Sequence, residues 1–239
     1  MKNIINKMRL SLRKTSLVAL IAITGIGIIS CSDDDDNTVQ PPMETFAKVM
    51  AIHASPDAPG VDLYVDNAMA GTNLEFPMST GYLEVPSGTR NVKVNVTGTE
   101  MTVIEADLPL TADVYYSVFA VDQVSNLTPL VVVDDLTAPA SGKSHVRFFH
   151  LSPDAPAVDI TLTDGTVVIG NTSFKEYTQF LPLDAATYDL QVRIAGTDTV
   201  VLELNGITLM DGKIYTVFAK GFVEGSDKQA LGAEIIINN

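Results

Sequence analysis

From residue 46 onward the chain alternates apolar and polar residues with a period of two, and its apolar positions are rich in β-branched side chains. That is the pattern of half-buried strands. Val61, Leu63 and Val65 alternate with Asp62, Tyr64 and Asp66, and Val92, Val94 and Val96 alternate with Asn91, Lys93 and Asn95. Thr97-Gly98-Thr99-Glu100 then turns the chain into Met101-Thr102-Val103-Ile104, which predicts a hairpin. A second set follows the same plan: Leu190, Val192 and Ile194 run into Ala195-Gly196-Thr197-Asp198 and then Thr199-Val200-Val201-Leu202. Further strands near 48–54, 82–85, 114–121 and 129–133 bring the total to about seven per set, and no stretch after the N-terminal region has helical periodicity.

The two sets are copies of one another. His53-Ala-Ser-Pro-Asp-Ala-Pro-Gly-Val-Asp62 returns as His150-Leu-Ser-Pro-Asp-Ala-Pro-Ala-Val-Asp159, identical at eight of ten positions. Downstream, Tyr116-Ser-Val-Phe-Ala120 answers Tyr215-Thr-Val-Phe-Ala219. A period near one hundred residues matches a small domain, so each copy is expected to own a core. Loop chemistry over Asp134-Asp-Leu-Thr-Ala-Pro-Ala-Ser-Gly-Lys143 marks a linker, dividing the chain into repeat 1 at 46–136, a linker at 137–143 and repeat 2 at 144–239. The fold class predicted is all-β: two tandem antiparallel β-sandwiches, immunoglobulin-like or transthyretin-like. Tyr116 and Tyr215 open strong strands after a turn, as a tyrosine corner does.

The duplicated motif holds the candidate chemistry: His53, Ser55, Asp57 and Asp62, with His150, Ser152, Asp154 and Asp159 in the second copy. Val49, Ala51 and His53 share one strand face, matched by Val146, Phe148 and His150, which puts each histidine at the inner end of an edge or first strand. Lys48 and Met50, matched by His145 and Arg147, take the other face, and Asp62 falls on a polar face. A hydrolytic triad of His53, Ser55 and Asp57 has serine in the middle, where the chemistry needs histidine. A metal site of His53, Asp57 and Asp62 is a second reading, although calcium prefers six to eight oxygens and zinc usually takes more nitrogen or sulfur ligands. A recognition loop for a protein or polysaccharide partner is a further reading. The expectation favoured here is a structural staple, each histidine bonded to an aspartate or backbone group of its own turn, with no cofactor, metal or catalytic residue.

The N-terminus changes the picture of where the protein works. Residues 1–30 place five basic residues ahead of an uncharged run centred on Leu17 to Ile23, short of the roughly 20 residues of a spanning helix, as in a secretory leader. Ile28-Ile29-Ser30-Cys31 resembles a bacterial lipobox, and Cys31 is the one cysteine of the chain. The resemblance implies lipid on Cys31 and attachment to a membrane through acyl chains. Ser32, Asp33, Asp34, Asp35 and Asp36 follow at once. They resemble the export signal of surface lipoproteins in the Bacteroidetes phylum, implying an outward-facing place on the outer membrane, the alternative being the periplasmic leaflet. Residues 31–45, with Pro41-Pro42, read as an acidic tether. Without the leader the chain has 10 basic against 29 acidic residues, a net charge of −19, which excludes nucleic acid as a partner.

The Ser-Pro-Asp-Ala-Pro-x-Val-Asp core of both copies resembles the bacterial family described as domain of unknown function 4397, over about 46–239. The resemblance implies extracytoplasmic β-domains on secreted or anchored proteins and carries over no activity, cofactor or functional residue. The function expected is a non-enzymatic surface lipoprotein with a binding, adhesion or spacer role; the alternative is a metal-dependent or hydrolytic surface enzyme built on the duplicated motif.

Overall fold

The computed structural model describes residues 43–239. Repeat 1 forms strands β1 (Phe46–His53), β2 (Val61–Val65), β3 (Ala68–Leu74), β4 (Ser79–Pro86), β5 (Gly88–Val96), β6 (Thr102–Leu110), β7 (Tyr115–Val121) and β8 (Thr128–Asp134). Repeat 2 forms β9 (Lys143–His150), β10 (Val158–Leu162), β11 (Val167–Thr172), β12 (Leu181–Asp184), β13 (Thr187–Ile194), β14 (Val200–Thr208), β15 (Ile214–Lys220) and β16 (Gly232–Ile237). The protein is all-β, and two short 3-10 turns, Val124–Asn126 and Asp227–Gln229, are the helical elements among the described residues. None of these is long and apolar enough to cross a membrane.

Each repeat folds into a two-sheet sandwich. In repeat 1 the strand orders are β4-β1-β7-β8 and β3-β2-β5-β6; in repeat 2 they are β12-β9-β15-β16 and β11-β10-β13-β14. Eight strands per repeat replace the expected seven or so. The added strand of repeat 1 is β3, whose largely exposed sequence, Ala-Met-Ala-Gly-Thr-Asn-Leu, carries no alternation to announce it. This order departs from the immunoglobulin arrangement and leaves the transthyretin-like alternative. It also departs from purely antiparallel pairing, since β1 runs parallel to β7 and β9 parallel to β15. The first strand of each repeat is therefore central in its sheet, flanked on both sides, and is not an edge.

Alternation then places one face of every sheet inside a sandwich. Val61, Leu63, Val94 and Ile104 pack inside repeat 1, continuing into a second cluster of Ala47, Val85, Leu108, Leu110 and Tyr116. Phe148, Val158, Ile160 and Val192 do the same in repeat 2, continuing into Val146, Leu209 and Tyr215. The corner tyrosines close these cores. The Tyr116 hydroxyl accepts the Thr111 N–H at 3.1 Å and the Tyr215 hydroxyl accepts the Met210 N–H at 2.9 Å, each reaching back five residues.

A third apolar layer lies between the repeats. Met50, Ile52, Ala54, Phe119, Val121 and Val132 of repeat 1 meet Phe149, Leu151 and Phe218 of repeat 2. The Phe119 ring sits 4.6 Å from Phe149 and 6.1 Å, edge-on, from Phe218. So the central strands of the two facing sheets, β1 and β7 in repeat 1 and β9 and β15 in repeat 2, are covered on both faces. Edge strands β8 and β16 keep one face open at Val131, Val133, Ile235 and Ile237, and Met43–Asn239 forms one compact unit.

Candidate functional site

The duplicated motif joins β1 to β2 and β9 to β10, carrying the chain from one sheet of a sandwich to the other. His53 and His150 are buried. Each donates a ring N–H to a carbonyl six residues on: His53 Nε2 to Pro59 at 3.0 Å, His150 Nε2 to Pro156 at 2.9 Å. A carbonyl only accepts, so the ring proton sits on Nε2 in both copies. Burial pushes both imidazoles below their ordinary range, and they are neutral at pH 7. Edge-on aromatic rings, Phe76 on His53 and Phe174 on His150, complete their surroundings.

The aspartates divide into two kinds. Asp57 and Asp154 are exposed and reach across to the β7–β8 and β15–β16 connections, accepting the Val124 N–H at 2.8 Å and the Val223 N–H at 3.0 Å. They do not bond to their own turn or to the histidines. Asp62 and Asp159, by contrast, are buried, not on a solvated polar face. Asp62 accepts the Asn73 N–H at 2.8 Å, the Gly98 N–H at 3.0 Å and the hydroxyls of Thr72 and Thr97, so one carboxylate ties the start of β2 to β3 and to the β5–β6 turn. Those bonds, led by Asn73 and Gly98, hold its carboxyl below the usual carboxylate range. Asp159 repeats the tie through Asn171 at 2.6 Å and Gly196 at 2.8 Å.

Ser55 and Ser152 are fully buried. Ser152 donates to the Gly221 carbonyl at 2.6 Å, while Ser55 Oγ has no hydrogen-bond partner. The polar groups of the motif are thus directed mostly at backbone: neither serine donates to a histidine ring, and the aspartates are engaged with N–H donors. Among the described residues, no three His, Cys, Asp or Glu side chains come together as a metal-binding set. Cys31 and the run Ser32 to Asp36 lie outside the described residues.

A second polar constellation sits between the repeats. Arg147, on β9, is buried and pairs with buried Asp134 at 2.7 Å across the repeat boundary. Around them the bonds close a ring. Arg147 donates to Ser117 at 3.0 Å and to Thr216 at 2.8 Å, and Ser117 and Tyr82 donate to Asp134 at 2.7 and 2.6 Å. Thr216 donates to Asn238 at 2.8 Å, and Asn238 donates to Tyr82 at 3.0 Å. Burial, then the Asp134 charge, pushes the Tyr82 phenol well above its ordinary range, so it stays a donor. The Arg147 guanidinium also lies 4.5 Å from the Phe180 ring centroid. Alternation puts Arg147 on the strand face opposite Phe148, with His145, and does not say what covers that face. The available signal was the unbroken run Phe148-Phe149 beside it, the mark of a strand buried on both faces.

No curated protein matches the chain. A family model does, over residues 47–161 and again over 161–234, the junction falling inside β10. With two tandem matches spanning nearly all of the described residues, the chain belongs to the family described as Domain of unknown function (DUF4397).

Proposed function

We propose that this chain is a non-catalytic surface module, a double sandwich held at a membrane by lipid on Cys31 and displayed outward as a spacer or binding element. The observation that carries this reading is the layer between the repeats, where Phe119, Phe149 and Phe218 interlock beside the Arg147–Asp134 pair. Such a layer favours a body of constant shape over two beads on a string, which suits presentation at a distance. The motif supports the same reading, because its hydrogen bonds go mainly to backbone groups that join strands. The anchor rests on Ile28-Ile29-Ser30-Cys31 and the outward position on Ser32 to Asp36.

The test is fractionation of cells making the full chain. Wild type is expected in the membrane fraction, and Cys31→Ala, with its leader removed, in the soluble fraction. Replacing Asp33 to Asp36 with alanine should keep the lipid but shield the protein from protease added to intact cells. Membrane retention of Cys31→Ala sinks the anchor, and unchanged digestion of the alanine block sinks the outward position.

A further inference from the structure

At the motif end of the second sandwich lies a cavity of about 100 Å³, with His150, Pro156, Val192, Val201, Leu202 and Ala219 in its wall. His150 is its one polar side chain. In the first sandwich a cavity of about 70 Å³ includes His53, Val61, Leu74, Val94 and Ile104 in its wall. The duplicated histidine thus borders a cavity in both copies.

The imidazole at each cavity is half satisfied. Nε2–H is spent on the Pro156 or Pro59 carbonyl, so Nδ1 keeps a bare lone pair. Nδ1 of His150 and Nδ1 of His53 are both buried without a hydrogen-bond partner. An unmet acceptor inside a protein is costly and uncommon, and here it recurs at matching positions. A buried water wants roughly two to four polar partners. The wall beside His150 offers one polar side chain, whereas its apolar remainder suits a hydrocarbon.

We propose that the cavity beside His150 binds a small apolar molecule bearing a single hydroxyl, the hydroxyl donating to Nδ1 and the hydrocarbon body filling the apolar wall. An apolar cavity of about 150 Å³ takes up benzene. At about 100 Å³, two thirds of that volume, this one suits a smaller alcohol of about two carbons. The site goes beyond the proposed surface role and does not depend on the lipid anchor.

The experiment uses the full chain labelled with ¹⁵N and titrates ethanol against dimethyl ether, its isomer without a donor. The readout is the ¹⁵N resonance of His150 Nδ1, which moves when the lone pair accepts a hydrogen bond. Ethanol is expected to shift it saturably and to bind about fivefold more tightly than the ether, the worth of one net hydrogen bond. Val201→Phe, which fills the cavity without touching the imidazole, should abolish the response. If that variant does not fold, Ala219→Val narrows the same wall and is expected to weaken binding. The proposal is overturned if the wild-type resonance does not respond saturably. It also fails if Nδ1 already shows the hydrogen-bonded shift without ligand, which would mean a resident water, or if a folded cavity-filled variant responds as wild type does.

Discussion

A carboxylate exposed at a loop and one buried between strands do different work with the same atoms. Asp57 and Asp154 each accept one N–H at the rim of a sandwich, so replacing either with alanine should cost about 0.5–1.5 kcal/mol, the usual net worth of such a bond. Asp62→Ala removes the acceptor for two backbone N–H groups and two hydroxyls at once and should destabilise more. Urea unfolding of the three variants orders them, and an Asp57 loss equal to the Asp62 loss would contradict this division. The histidines make stability depend on pH. Their folded-state values lie below the ordinary 6.5, so between the two values the unfolded chain binds more protons than the folded one. The sign follows: their contribution is complete above about pH 6.5 and is lost as pH falls toward the folded values. Denaturation midpoints should drop from about pH 7 to about pH 5, and a His53→Gln, His150→Gln double variant should flatten that part of the profile.

Strands β1, β7, β9 and β15 bury both faces, and this turns their outward positions into core. Met50 and Ile52 on β1, and Phe149 on β9, alternate with residues that face the sandwich interior. Arg147 falls in the same outward series, and its charge is tolerated there because Asp134, Ser117 and Thr216 meet it. Arg147→Ala leaves the Asp134 carboxylate buried without its cation and should cost about 3–5 kcal/mol. The double variant Arg147→Met, Asp134→Leu removes both charges and should recover only part of that, since the hydroxyls of Ser117 and Tyr82 then lose their acceptor. A double-mutant cycle measured by calorimetry checks this, and additive losses would mean that the pair contributes no coupling. The surface pair Lys228–Glu75, at 3.0 Å and solvent-exposed, should contribute far less than the buried pair, because water screens it.

Over the whole molecule, the duplicated units have private cores and a common one. Released from each other, residues 46–136 would expose Met50, Ile52, Phe119, Val121 and Val132, and residues 144–239 would expose Phe149, Leu151 and Phe218. Apolar patches of that kind drive association. Each half made alone should therefore be less stable than the intact chain and should self-associate, while mixed halves should form a one-to-one complex. Sedimentation of each half and of the mixture reads this directly. Two monomeric halves as stable as the whole would show that the common layer contributes little.

The duplication, the all-β class, the β5–β6 hairpin and the corner tyrosines were legible in the sequence, because period-two alternation, turn chemistry and repeated spacing are local properties of the chain. The histidines could likewise be assigned to a strand's inner face, since alternation fixes which residues share a side. The strand order could not be read, and with it the parallel β1–β7 pairing, because hydrogen bonding between distant strands leaves no local trace. Nor could β3, whose exposed small and polar residues lack contrast between faces. The burial of Asp62 followed from donors on β3 and the β5–β6 turn, and the burial of Arg147 from a second sheet packed against its own. A one-chain pattern records that a face is polar or apolar, whereas only the tertiary structure decides whether water or another sheet lies against it.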